Sequence, residues 1–282
     1  MNAADKKDLA LFAVKIREGI LIGTHAAKSG HPGGSLSATE YFAYLYGKEM
    51  HVDPKNPKLE DRDRFVLSKG HCAPGLYATL ANKGFFPVDD LKTLRKIGSY
   101  LQGHPNMNLT PGVEMSTGSL GQGISTACGM AKGAKFLGKN FNVYTLLGDG
   151  EVEEGQVWEA VMFAAHYKLD NLCIAVDVNG LQIDGKTSDV MNSAPLDKKF
   201  AAFGCEVVTI DGHDFDSLEK AFATFHATQG KPTVILLRTV KGKGVSFMEN
   251  QAGWHGKAPN DEELKAALAE IKSARAKIEE AA

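Results

Sequence analysis

Apolar positions in this chain gather into short, nearly continuous runs, and the segments between them carry apolar residues at helical spacing. Runs of the first kind lie at 64–67 (RFVL), 142–147 (NVYTLL), 171–178 (NLCIAVDV), 206–210 and 233–239. Strands that are apolar along their whole length have no solvent-facing side, which marks a parallel sheet covered on both faces. Helices are predicted over 120–137, 153–167 and 217–227, and near 196–203. The first of these is rich in Ala and Gly and so able to pack closely on a sheet. This alternation predicts an α/β fold, a doubly wound and mostly parallel sheet with helices on both faces. The charged, amphipathic N-terminal segment also reads as helical. From Asp261 a charged helix follows, with Asn260 and Glu263 in a capping-box pattern and a narrow stripe of Leu264, Leu268, Ile271 and Ile278, as on a helix lying against a surface. The organisation expected is one domain over 1–258 with a helical appendage over 259–282.

Composition narrows the classes of function. With 282 residues, 43% hydrophobic and 23% charged, the chain has material for a full core. A formal charge of −2 gives no basic field to hold a nucleic-acid backbone. No stretch approaches the roughly 20 apolar residues that span a membrane. The N-terminus shows no signal-peptide core, and Cys72, Cys128, Cys173 and Cys205 form no CxxC pair, so they read as reduced thiols of a cytoplasmic protein. Glycine is the exception to this ordinary profile: 30 residues, about half again the typical ~7% share. They cluster in SGHPGG, SKGH, TGSLGQG, GDG and GKG. One such string is most often a tight turn; five in one chain indicate loops lining a site, because glycine lets backbone approach a ligand closely.

In a parallel α/β sheet, ligands sit at the carboxyl ends of the strands. The 142–147 run leads into Gly148-Asp149-Gly150 and the 171–178 run into Asn179-Gly180. A right-handed crossover points both strands the same way, so Asp149 and Asn179 are expected at one edge. With the backbone carbonyl of Leu181 they would form an all-oxygen partial cage. Mg²⁺ suits it, since that ion takes few protein oxygens and leaves its other positions to phosphate and water; Ca²⁺ or Mn²⁺ could stand in its place. The helix after Gly150 adds N–H donors and the positive end of its dipole. Either dipeptide alone is turn chemistry; what makes them specific is their place at two strand ends, one βα unit apart.

Gly148-Asp149-Gly150, followed some thirty residues later by Asn179, resembles the signature of thiamine diphosphate enzymes. The flanking strings resemble one branch of that superfamily, the transketolases. Ser29-Gly30-His31-Pro32-Gly33, Ser68-Lys69-Gly70-His71, Gln102-Gly103-His104-Pro105, the TGSLGQG string at 117–123, Leu181-Gln182-Ile183-Asp184-Gly185 and Gly253-Trp254-His255-Gly256 follow the family's order over roughly residues 9–258. The resemblance implies the thiamine diphosphate-binding fold, with Mg²⁺ on Asp149, Asn179 and the Leu181 carbonyl. It implies cofactor contacts at His71, Gly118, Ser119, Leu120, Gly148, Asp149, Gly150, Glu151, Asn179 and His255, and Lys243 of the GKG string is the lysine expected to approach the site. His71 and His255 resemble histidines near the diphosphate and the reacting centre. His31 and His104 resemble those that hydrogen-bond substrate hydroxyls and move protons. Glu154 resembles an acidic residue close to the partner across the interface between chains. The activity implied is transfer of a two-carbon ketol unit from a ketose phosphate to an aldose.

A neutral imidazole donates and accepts at once and titrates near neutrality, which suits deprotonating a sugar hydroxyl and returning the proton. His31, His71, His104 and His255 lie in glycine strings and read as functional; His25, His51, His166, His213 and His226 read as structural. Lys243 is balanced against a solvated loop and Asp184 against a turn residue, while Trp158, Phe163 and Tyr167 read as helix packing. The sequence departs from the family at Ser119, where proline is common, and at 151–153, where a more apolar run is common. It carries none of the motifs of the pyrimidine-binding module: its glutamate, its stacking aromatics, its phosphate-binding arginines. The expectation is therefore the N-terminal subunit of a split transketolase, acting on sugar phosphates with a companion chain as an α₂β₂ assembly. Three other readings stand beside it. Another split thiamine diphosphate enzyme, of decarboxylase or 2-oxo acid dehydrogenase type, is disfavoured by the SGHPG and QGHP histidines, which suit hydroxylated sugars. A non-catalytic assembly subunit is disfavoured by the intact Asp149, Asn179 and His104. A Rossmann- or flavodoxin-like nucleotide binder is disfavoured because no GxGxxG follows the first strand.

Overall fold

The computed structural model describes residues 1–281. In chain order its strands are β1 (Arg64–Leu67), β2 (Val143–Gly148), β3 (Leu172–Val178), β4 (Leu181–Gln182), β5 (Gly185–Lys186), β6 (Glu206–Asp211) and β7 (Thr233–Arg238). Five of them form one sheet, parallel throughout, in the order β1-β2-β3-β7-β6, and β4 and β5 form a small antiparallel hairpin. The helices are α1 (Ala3–Ala27), α2 (Pro32–Ser37), α3 (Thr39–Tyr44), α4 (Ala73–Lys83), α5 (Gln122–Phe136), α6 (Gly155–His166), α7 (Thr187–Val190), α8 (Leu196–Ala202), α9 (Phe215–Ala227) and α10 (Asp261–Glu280). None of the described helices is long and apolar enough to cross a membrane.

Side chains alternate between the two faces of a strand, and here both faces are apolar. Tyr144, Leu146, Cys173, Ala175, Ile235 and Leu237 point into a core with α1, α3, α4 and α9. Val143, Leu147, Ile174, Val176, Val234 and Leu236 point into a second core with α5, α6 and α8. This explains why β2, β3 and β7 read as unbroken apolar runs. The edge strand β6 has one neighbour and is only half covered. α10 begins with the Asn260–Glu263 capping box and lies along α1, burying Ala267 and Ile271, with Arg275 paired to Glu18 at 2.9 Å.

Two expectations change. Residues 151–153 form a separate 3₁₀ turn, so α6 starts at Gly155 with Glu154 as its N-cap. Trp158 does pack, on Phe200 and Phe203 at 4.9 and 5.5 Å between ring centroids. Phe163 and Tyr167 instead lie on the outer face of α6, 38% and 42% exposed, against each other. No further layer of the described residues covers that face.

A buried polar cluster ties the helices to the loop after β7. Arg17 of α1 donates to Glu40 of α3 at 2.5 Å and to the Lys243 carbonyl at 3.0 Å. His213 lies 2.8 Å from the other Glu40 oxygen and accepts from the Val240 N–H. Burial would push the Glu40 carboxyl up, but the Arg17 guanidinium and His213 outweigh it and pull it from the usual 4.5 down to about 2. A carboxylate with a lowered folded-state pKa stabilises fully above the unfolded value, and this contribution disappears as pH falls from 4.5 toward 2. The shift corresponds to about 3 kcal/mol. Glu40→Gln is expected to lower the melting temperature at pH 7, and the gap to wild type should narrow sharply by pH 3. Parallel acid limbs for the two proteins would contradict this.

Candidate active site

β2 and β3 leave the sheet at the same edge, and the turns after them face each other. Asp149 is 3% exposed. Its carboxylate accepts from the Gly150 N–H at 3.0 Å and, across the turn, from the Gly180 N–H at 2.6 Å. Gly180 adopts a φ of +74°, which a residue with a Cβ would resist. Asn179 presents its carboxamide oxygen to the Leu181 N–H at 3.1 Å. Burial, and next the charge of Asp177, push the Asp149 carboxyl up to about 7. A buried carboxyl beside a carboxamide and a backbone carbonyl is the oxygen donor set Mg²⁺ accepts. These residues fit the ion. Among the described residues no cluster of three or more His, Cys, Asp or Glu offers a competing metal site.

A cavity of about 280 Å³ opens at this turn, lined by Gly118, Leu120, Gly150, Asn179, Lys241 and His255 among others. Its glycine walls touch backbone to backbone: a Cβ on Gly70 would come within 2.7 Å of the Gly118 nitrogen. Glu151, 2% exposed, holds three of these loops together. Its carboxylate accepts from the Ser68 hydroxyl at 2.5 Å and from the N–H groups of Gly121 and Gly148 at 2.9 and 3.0 Å. Glu151 lines the cavity, and both its oxygens are engaged by the loops themselves. The result is a concave surface of small residues over which a diphosphate can approach the backbone closely.

Four histidines cluster at this cavity: His71 and His255 line it, His31 packs against both, and His104 packs against His31. Ring centroids lie 5.3 Å apart for His31 and His71, 5.4 Å for His31 and His255, 5.0 Å for His71 and His255, and 6.1 Å for His31 and His104. Burial, then the charge of Arg95, lowers His31 to about 4. Burial, then Lys241, lowers His255 to about 3, and His71 is lowered well below the ordinary range by burial. His104 is lowered too, again by burial and Arg95. All four are therefore neutral near pH 7. The buried Nδ1 of His31 has no hydrogen-bond partner among the described residues. A polar atom left unmet inside a site is where a ligand hydroxyl gains most.

The remaining candidates separate. Lys243 is 3.5 Å from Glu249 and does not line the cavity, so the expectation that it approaches the site is corrected in favour of Lys241. Lys241 is 2% exposed, donates to the Leu181 carbonyl at 2.9 Å and lies 3.0 Å from His255 Nδ1. The two lysines flank one glycine, and only the first lines the cavity. Ser119 does not line the cavity, although its neighbours on both sides do. Glu154 is exposed at the start of α6, away from the cavity and near Gln156, which pairs with Gln122 at 2.6 Å. Asp184 lies in the tight turn of the β4–β5 hairpin. His213 and His226 are held by Glu40 and Glu49, and His25 by Asp261. Lys69 and Asp177, fully buried and in contact at 2.5 Å, were not singled out in the sequence. A carboxylate inside the apolar run NLCIAVDV was the available signal.

A parallel sheet with an oxygen cage and glycine loops at its carboxyl edge defines a diphosphate-binding class, and comparison with known proteins says which. Residues 13–275 match the transketolase, thiamine diphosphate binding domain family, and the chain belongs to it. It is the N-terminal, cofactor-binding section of a transketolase. It is 48% identical over 242 residues to the 6-deoxy-6-sulfo-D-fructose transketolase subunit of Clostridium sp. (strain MSTE9), covering 86% of this chain and 88% of that one. It is 41% identical over 271 residues to one of the subunits of the apulose-4-phosphate transketolase of Phocaeicola vulgatus, covering 96% of each. The crystal structure of transketolase from Campylobacter jejuni superposes with a TM-score of 0.87 at 30% identity, covering 99% of this chain and 46% of that one. The chain thus spans nearly all of the relatives named as subunits and less than half of that longer transketolase.

Proposed function

We propose that this chain, joined to a companion carrying the pyrimidine-binding module, transfers a two-carbon ketol unit from an anionic ketose to an aldose phosphate. The observation that carries this reading is the cluster of four neutral histidines, two of them lining the glycine-walled cavity that also takes in Asp149 and Asn179. The named relatives support it: one is named for a sulfonated and the other for a phosphorylated ketose, and both are subunits matched over nearly their full length. Thiamine diphosphate, when bound, supplies the electron sink for breaking the carbon–carbon bond. Asp149, Asn179 and the Leu181 carbonyl hold Mg²⁺. The backbone at Gly118–Leu120 and Gly150, with His71 and Lys241, receives the diphosphate. His31, His104 and His255 bind sugar hydroxyls and carry their protons, their neutral rings able to accept at one nitrogen and donate at the other. Glu154 and the exposed Met162, Phe163 and Tyr167 of α6 form part of an interface between chains in an α₂β₂ assembly. Four free, buried thiols support a cytoplasmic location.

The test is substrate choice by the reconstituted pair. With Mg²⁺ and thiamine diphosphate it should convert xylulose 5-phosphate and ribose 5-phosphate to the products of ketol transfer, and leave pyruvate untouched. Carbon dioxide release from pyruvate without ketol transfer would replace this reading with the decarboxylase or dehydrogenase one.

A further inference from the structure

Asp177 neither lines the cavity nor belongs to the oxygen cage, yet it is among the most completely buried polar residues near the site, at 0% exposure. It is the penultimate residue of β3. One of its oxygens accepts from Lys69 Nζ at 2.5 Å, from the Ser37 hydroxyl at 2.5 Å and from Asn179 Nδ2 at 2.9 Å. The other accepts from the hydroxyl of Thr239. Lys69 is itself 1% exposed and donates also to the Gly34 carbonyl at 3.1 Å. Four segments thus converge on one carboxylate: the turn after β1, α2, the turn after β7, and the loop that carries Asn179.

A carboxamide is nearly symmetric in shape, but only its oxygen binds a cation. An ionised carboxylate accepts and never donates, so Asp177 admits only the NH₂ end of Asn179. Residues two apart on a strand face the same side, which brings Asp177 against Asn179 at the strand's end. The oxygen of Asn179 is then left toward Leu181 and the cage. A buried ammonium–carboxylate pair is weak evidence for stability, since apolar residues of similar volume often do as well, so its presence here calls for another explanation.

We infer that Asp177, neutralised by Lys69, is a positioning residue that locks the carboxamide of Asn179 with its oxygen toward the cation. This rests on the reading of Asn179 as a metal ligand. Partners of this outer kind typically change metal affinity by roughly 10–100-fold.

The test uses the full chain, with Mg²⁺-dependent thiamine diphosphate binding read by calorimetry and folding read by circular dichroism. Asp177→Asn should weaken binding roughly 10–100-fold, because a carboxamide there also tolerates the reversed Asn179. Combining Asp177→Asn with Asn179→Asp exchanges donor and acceptor and keeps one carboxylate near Lys69. That double variant should bind more tightly than Asp177→Asn alone, a rescue that a purely structural role would not produce. Wild-type affinity in the single variant, or a folded double variant no better than the single, would overturn the inference. If Asp177→Asn alone does not fold, Lys69→Met with Asp177→Asn leaves no buried charge unpaired and becomes the single-variant reference. Wild-type affinity in Asn179→Ala would instead remove the ligand reading on which the inference rests.

Discussion

Asp149→Ala is expected to abolish Mg²⁺-dependent binding of thiamine diphosphate. The proposed cage has one carboxylate, one carboxamide and one backbone carbonyl, so this substitution removes its only charge. It also frees the N–H groups of Gly150 and Gly180, which the carboxylate now holds at 3.0 and 2.6 Å. Asp149→Asn separates the two effects, since it retains an acceptor oxygen for the turn and loses the charge. Titration calorimetry of thiamine diphosphate at fixed Mg²⁺ should give no measurable heat for the Ala variant and weakened binding for the Asn variant. Wild-type affinity in the Ala variant would remove Asp149 from the metal site.

His104→Ala should leave cofactor binding nearly unchanged and lower turnover of ketose donors by about 10²–10⁴-fold, the usual contribution of a general acid–base group. His104 stands next to the cofactor cavity without lining it. Its ring lies over Gly118, where a Cβ would come within 3.2 Å, and it is the outermost of the four histidines. It is exposed, whereas His31 behind it is half-buried and nearer His71 and His255. Since the pKa of His104 is lowered, the imidazole stays neutral at pH 7. Steady-state kinetics on the assembled enzyme check this, and unchanged turnover would make the 102–105 loop a structural one.

The parts of this site legible in the sequence are those fixed by local chain chemistry. Gly148-Asp149-Gly150 and Asn179-Gly180 stand at the ends of apolar strands, and a right-handed crossover suffices to bring β2 and β3 together. Glycine strings likewise flagged the loops of His31, His71, His104 and His255, and the structure gathers those four rings. Long-range placement was not legible. Nothing in the spacing says that β7 lies between β3 and β6. Around Gly242 the sequence favours Lys243 over Lys241; what the local pattern does not contain is the cluster of Arg17, Glu40 and His213, drawn from α1, α3 and the loop before α9, that grips the backbone around them. Asp177 and Lys69 sit far apart in sequence and reveal themselves only as a pair. Phe163 and Tyr167 have the spacing of buried helix positions, but burial depends on whether another layer exists, which the pattern of one helix does not contain.

The central claim is that this chain supplies one half of a transketolase site. Its glycine-walled cavity is proposed to receive the diphosphate end of thiamine diphosphate, and the proposed companion supplies the surface for the other end. The direct measurement is ketol transfer from xylulose 5-phosphate to ribose 5-phosphate by the purified chain with Mg²⁺ and thiamine diphosphate, before and after addition of the companion. The account predicts no transfer by the chain alone and steady turnover once the companion is present. Robust turnover by the isolated chain would contradict it.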